Sequence, residues 1–296
     1  MSITRGIARV LQRELRLIRS PNAANYYENM GFDVLAERET VYENDRVPLW
    51  LNYGYWKGVN TQDQACRQLA DLVAEAAHMG PGKRVLDCGF GFAEQDLHWI
   101  ATRNPDHITG INITPLHLEV AQRRIDSRKL SDRIAVQKAS ATELPFPDAS
   151  FDCVVALESA FNFDTREDFF EQAFRVLKPG GWLAAADVLP LPGDIAPPWR
   201  GLILKRYSWP LANCYDRDEY ARKLSARGFV NVGKESIRDY VFPGFRAYAR
   251  ARERGAARDA HIEIPQSDFE KVRGQYWFRL GPGLGDYVIM SGQKPL

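Results

Sequence analysis

The stretch Val85-Leu86-Asp87-Cys88-Gly89-Phe90-Gly91-Phe92-Ala93 decides the fold. It reads as a short apolar strand that ends in an acid and runs into two glycines one residue apart. A helix opens directly behind them. Glycine lets the backbone turn sharply and approach a ligand closely, and the first amides of the helix face the same cleft. A dinucleotide fingerprint would continue G-x-G-x-x-G, with its third glycine beside the pyrophosphate. Glu94 holds that place here, and Asp87 precedes the loop. Two acids oppose a phosphate, so the pattern predicts a cationic or zwitterionic ligand. An aminoacyl sulfonium nucleoside has that charge.

Outward from this loop the chain alternates. Residues 62–78 carry Cys66, Leu69, Leu72, Val73 and Ala76 on one helical face. Pro81-Gly82 is a turn signal, and a strand follows at 83–87. A helix then runs to about residue 102. Strands are predicted at 108–113, 134–138, 151–157 and 182–188, with helices at 115–129 and 165–177 between them. Phe229 to Ile237 and Tyr287 to Ser291 read as closing strands. This series predicts an α/β fold with a doubly wound, Rossmann-like, mostly parallel sheet of seven strands. The expected partition is a helical and aromatic cap over 1–78, a ligand-binding core over 79–190, a lid with closing-strand insertion over 191–275, and a last core strand over 276–296.

Residues 3–19 set Ile3, Ile7, Val10 and Ile18 against Arg5, Arg9, Arg13 and Arg16 at helical spacing. That pattern fits either a peripheral contact with an anionic membrane or a cap helix with a solvated arginine face, and the cap is the preferred reading. The arginines at 246, 250, 252, 254 and 258 read mainly as a solvated helix face, with anion binding as the alternative.

Composition excludes several classes. In 296 residues the formal net charge is +1, too small for general nucleic-acid binding. Four cysteines are scattered without a C-x-x-C pair, and the five histidines lack ligand spacing, so neither a disulfide framework nor a metal site is expected. No apolar run reaches the ~20 residues of a membrane span. The N-terminus has no signal-peptide core, so a cytoplasmic location is expected.

Several segments together resemble the class I S-adenosylmethionine (SAM)-dependent methyltransferases. They are Tyr26-Tyr27, Asn52-Tyr53-Gly54-Tyr55-Trp56, Asp87-x-Gly89-x-Gly91, Gly110-Ile111-Asn112-Ile113-Thr114, Ser140-Ala141-x-x-Leu144-Pro145-Phe146, Leu157-Glu158-Ser159 and Leu177-Lys178-Pro179-Gly180-Gly181. Within the family the chain is similar to erythromycin-type macrolide sugar O-methyltransferases, which share Gln95-Asp96 after the loop and the Asp187-Val188-Leu189-Pro190 segment. The resemblance implies SAM as cofactor. Its candidate binding residues are Tyr27, Tyr55, Trp56, Asp87, Gly89, Phe90, Gly91, Asn112, Ile113, His117, Ser140, Ala141, Thr142, Leu157 and Glu158. Asp87 would lie near the ammonium, and Asn112 stands where an acid usually meets the ribose.

Methyl transfer is an in-line displacement that rests on alignment. Loss of the sulfonium charge favours a dry aromatic pocket, for which Tyr53, Phe161, Asn162 and Phe163 are the substrate-side candidates. An alcohol acceptor needs a base. In the sugar-methylating relatives a histidine follows the Leu-Glu-Ser run, whereas Phe161 and Asn162 stand here. The catalytic candidates are therefore Asp187, Glu158 and His261. A lipophilic natural product or lipid is the expected substrate, methylated on oxygen. Carboxyl esterification of a fatty acid, C-methylation of an isoprenoid, and SAM binding without turnover are the alternatives.

Overall fold

The structure is a computed structural model that describes residues 48–190, 209–253 and 284–296. Helix α1 (Gln62–Ala76) precedes β1 (Arg84–Cys88), and α2 (Glu94–Thr102) follows it. Then come β2 (His107–Asn112), α3 (Pro115–Ser127), β3 (Ile134–Lys138), β4 (Phe151–Leu157), α4 (Arg166–Val176) and β5 (Leu177–Pro190). The chain closes with α5 (Arg217–Ala226), β6 (Val230–Ser236), α6 (Arg238–Glu253) and β7 (Leu284–Gln293).

All seven strands join one sheet in the order β3-β2-β1-β4-β5-β7-β6. The pairings from β3 to β5 are parallel, and β7 runs antiparallel to both of its neighbours. The sheet is thus mostly parallel, with one reversed strand. Central strands covered on both faces need continuous apolar runs, and β1 and β4 have them. Val85 to Cys88 are all buried, as is nearly all of β4. The edge strand β6 instead exposes Asn231, Lys234 and Glu235, which hinders pairing with another chain.

One face of the sheet packs against Leu69 and Val73 of α1, Trp99 of α2, and Val241 and Phe242 of α6. The other packs against Phe169, Phe170 and Ala173 of α4 and Tyr220 and Leu224 of α5. Helix α4 starts with a reciprocal capping box between Thr165 and Asp168. Residues 217–226 fall within the expected lid, yet they form α5, a crossover helix whose Tyr220 and Leu224 are buried against the sheet. Residues 178–181, between the helix predicted to 177 and the strand predicted from 182, likewise belong to β5, where Gly180 N–H donates to Lys294 C=O at 2.9 Å. Residues 3–19, Tyr27 and His261 lie outside the described residues.

Strand order reverses between β1 and β4, and in such a sheet the ligand crevice opens at the carboxyl ends of those two strands. Asp87, Gly89, Asn112 and Glu158 all come from that edge.

Candidate active site

The loop after β1 is clamped from both sides. Gly89 has φ +100°, and a Cβ there would lie 2.5 Å from Ser159 Cβ. Ser159 Oγ donates to Cys88 C=O at 2.5 Å, and Gly89 N–H donates to Ile111 C=O at 2.8 Å. Only glycine meets both the positive φ and the close approach. Gly91, at φ +58°, faces Leu51, while Phe90 is fully buried against Ala93 and Ala121. Phe90 therefore anchors the loop in the core.

Asp87 and Asp96 are both 0% exposed. Gln95 Nε2 donates to Asp87 Oδ2 at 3.1 Å. Burial pushes the Asp87 carboxyl up to about 7, partly offset by the neighbouring Asp96 side chain and the Gln95 amide. The Asp96 carboxyl is pushed well above the usual range by burial and by the neighbouring Asp87 charge. A buried acidic pair at a glycine cradle fits a cationic amine.

Glu94 has a different role from the one its position suggested. Its Oε2 accepts Leu49 N–H at 2.6 Å and also pairs with Arg124, which in turn donates to Phe92 C=O. The charge is spent tying the 49–52 strip and α3 to the loop, so repulsion of a phosphate by Glu94 is not what shapes the site.

At the end of β2, Asn112 Oδ1 accepts Thr114 N–H at 3.0 Å, and its Nδ2 lies 3.3 Å from His117 Nδ1. Both side chains are buried, with the His117 ring edge-on to Phe92 at 4.8 Å. The amide that stands for the usual ribose acid is thus largely committed to its own turn. Ile113 next to it is 39% exposed, unusual for so apolar a side chain, and offers a flat ligand an apolar surface. Ser140 Oγ and Thr142 Oγ1 bond each other at 2.8 Å around the buried Ala141. Leu157 is buried at the end of β4.

Glu158 has φ +52° and sits half-buried just past β4. Its Oε1 accepts Tyr53 N–H at 2.6 Å and the Tyr287 hydroxyl at 2.5 Å. Burial pushes its carboxyl up to about 8, against the downward pull of those two donors. This group can hold or give up a proton near neutral pH.

The expectation that Asp187 acts as a base is corrected. Asp187 and Arg166 are each 0% exposed and form an ion pair at 2.8 Å. Arg166 also donates to Asn213 C=O at 2.6 Å and Val188 C=O at 3.1 Å, beneath the rings of Tyr215 and Tyr220. A carboxylate enclosed in that way is out of reach of an acceptor hydroxyl. Nothing in the sequence pattern marked Arg166 as its partner, because the two are joined only by the folding of α4 against β5.

The aromatics divide in an unexpected way. Trp56 is buried with Ala65, Ala247 and Tyr248, and its Nε1 donates to Tyr53 C=O. Tyr55 packs on Tyr240 at 5.4 Å. Both are cofactor candidates in the sequence, and in the structure both pack against α6. Tyr53, the neighbour of Glu158, stacks on Phe245 of α6 at 4.2 Å and 12°, a partner the sequence reading passed over. Phe161 lies 5.1 Å from Trp209, and Phe163 lies 5.0 Å from Phe169. Both are half-buried, as is Asn162 between them. Asn213 Nδ2 donates to the backbone carbonyls of Phe161 and Phe163 at 3.1 and 2.7 Å, fixing this segment after β4.

Residues 86–185 match a family model described as a methyltransferase domain. The chain is 41% identical over 264 residues to erythromycin 3''-O-methyltransferase of Saccharopolyspora erythraea, covering 83% of this chain and 84% of that protein. The chain belongs to the SAM-dependent methyltransferases. A second member, the 27-O-demethylrifamycin SV methyltransferase of Amycolatopsis mediterranei, is 34% identical, with 83% and 92% coverage. Among solved structures, the [4+2]-cyclase SpnF aligns with a TM-score of 0.67 at 24% identity, over 93% of this chain and 99% of that one. A geranyl diphosphate methyltransferase aligns with the same TM-score at 16% identity, over 92% and 98%. These two likenesses show the fold alone.

SAM is the cofactor of this family, and the crevice fits it. The buried acids suit its ammonium, the Gly89 cradle suits the methionine backbone, and the exposed Ile113 suits the adenine. Bound there, the cofactor supplies an electrophilic methyl group on sulfur.

Proposed function

We propose that this methyltransferase moves the methyl group of SAM to a hydroxyl oxygen of a bulky, lipophilic natural product of the kind for which its two relatives are named. Glu158 is the proton acceptor. The observation that carries this reading is the position of its carboxyl. It lies just past the end of β4, next to Ser159, which clamps the glycine loop, and it is tuned to about 8. Of the three acid–base candidates, Asp187 is enclosed and His261 lies outside the described residues, whereas Glu158 is only half-buried at the end of β4. With Phe161 and Asn162 in place of a histidine, the base comes from the strand end itself.

A soluble, cytoplasmic enzyme of secondary metabolism is the setting this reading implies. Among the described residues no helix is long and apolar enough to cross a membrane. The partition into a cap over 1–78, a cofactor-binding core over 79–190, a lid with closing-strand insertion over 191–275 and a last core strand over 276–296 belongs to the same proposal.

The test is methyl transfer from labelled SAM to three acceptors, with mass spectrometry of the products. The acceptors are a macrolide glycoside with a free sugar hydroxyl, a free fatty acid and an isoprenyl diphosphate. Label on the hydroxyl supports the proposal. Label only on the carboxylate would point to ester formation without a base, and label on carbon would point to alkylation of a double bond.

A further inference from the structure

Two carboxylic acids, Asp87 at the end of β1 and Asp96 in the first turn of α2, are wholly buried side by side with little to neutralise them. Asp87 Oδ2 takes the Gln95 amide. Among the described residues no donor reaches Asp87 Oδ1 or either oxygen of Asp96. The charged groups on neighbouring elements are engaged elsewhere. Arg124 of α3 is paired with Glu94, and Arg67 of α1 is bonded to Asp63 and set against His98. Asn112 and His117 at the β2 end bond each other, while Glu158 past β4 is held by Tyr53 and Tyr287. Burial and the Asp87 charge push the Cys88 thiol up, so it stays neutral. Two adjacent carboxylates without a cation cannot both be ionised in such a place.

We infer that Asp96 is a permanently protonated, neutral acid whose hydroxyl donates to Asp87 Oδ1, so that the pair presents a single negative charge to the ammonium of SAM. The proton resides on Asp96 because Asp87 alone has a second donor, Gln95, and hydrogen bonds to a carboxylate favour its charged form. Asp87 is then the member that titrates. When the cofactor amine binds, any proton on Asp87 leaves to solvent and Asp96 keeps its own. Asp96 is thus a positioning residue that acts through Asp87. The inference rests on SAM as the ligand and not on which acceptor is methylated.

Calorimetric SAM binding between about pH 5.5 and 8, together with infrared spectroscopy, tests it. Wild-type affinity should rise with pH, approaching tenfold per pH unit at the acid end, pass its midpoint near pH 7 and flatten towards pH 8, where Asp87 is largely ionised. Asp96→Asn keeps a donor and should bind SAM within about threefold of wild type, with the same pH profile. Asp96→Leu strands Asp87 Oδ1, so affinity at pH 7 should fall about tenfold or more and the midpoint should move up by about one pH unit. Methylthioadenosine, which lacks the amino-acid tail, should bind all three proteins alike and reports on folding. The infrared difference between wild type and Asp96→Asn at about pH 8 should contain the C=O stretch of a protonated acid, a readout that needs no leucine variant. Absence of that band, loss of affinity in Asp96→Asn equal to that in Asp96→Leu, or an unshifted profile in a folded Asp96→Leu would overturn the assignment.

Discussion

The hydroxyl of Tyr287 on β7 donates to Glu158 Oε1 at 2.5 Å, across 129 positions of sequence. The reversed strand thereby sets the chemistry of a carboxyl at the parallel edge. Tyr53 N–H adds a second donor to the same oxygen, so the cap strip, β4 and β7 converge on one group. Burial drives the proton affinity of that carboxyl up, and the two donors restrain it.

From this convergence follows a pH dependence. A base with a pKa of about 8 is active when deprotonated, so turnover on a hydroxyl acceptor should climb with pH through about 8. Glu158→Gln should lower kcat by about 100-fold or more and flatten that rise. Tyr287→Phe removes a donor that favours the carboxylate, so its limb should move to higher pH. Steady-state profiles of the three proteins check this. A rise that survives in Glu158→Gln would assign the base elsewhere.

Breaking the Arg166–Asp187 pair should act on stability before catalysis. Arg166→Met leaves a fully buried carboxylate without its cation and should cost about 3–5 kcal/mol in denaturant unfolding. Asp187→Asn should slow hydroxyl and carboxylate acceptors to the same extent. A loss confined to the hydroxyl acceptor would return Asp187 to the role of base.

Gly89→Ala should abolish SAM binding. The added methyl would lie 2.5 Å from Ser159 Cβ on a backbone at φ +100°. The loop can relieve that contact only by shifting the amides that face the ligand. An increase in Kd of about 100-fold or more is expected by calorimetry, with far-ultraviolet circular dichroism retained. Wild-type affinity in this variant would move the cofactor away from the loop.

Gly244 in α6 lies against the face of Trp56, and a Cβ there would sit 2.1 Å from Trp56 Cγ. Gly244→Ala should therefore push α6 off the 53–56 strip and disturb the Tyr53–Phe245 stack. A destabilisation of about 1–3 kcal/mol is expected from overpacking, with a higher KM for the acceptor. Thermal unfolding and acceptor titration measure the two effects separately.

The sheet and the glycine loop were legible in the sequence because their signals are local. Apolar runs such as 85–88 and 151–157 mark doubly covered strands, and Gly89 and Gly91 mark a turn whichever neighbours it meets. The candidate site was legible only as a set of residues at strand ends. The environment of each acid depends on partners distant in sequence: Arg166 for Asp187, Arg124 for Glu94, Tyr287 for Glu158. Asp96 was visible beside Gln95, but its meaning required knowing that its carboxyl faces Asp87 in a dry place. Helix α5 was hidden within the segment expected as a lid, and its burial against the sheet through Tyr220 and Leu224 depends on contacts distant in sequence.

The sequence by itself thus determined the order of the core strands, the glycine turn after β1 and the class of reaction, since periodicity, turn chemistry and a glycine's missing Cβ are properties of the chain. Tertiary structure alone decided which acid is a buried ion pair, which two carboxyls are shut away together and which stays half-buried at a strand end. Proton affinity is set by dielectric surroundings and by donors brought from other strands, and neither exists until the sheet has closed around them.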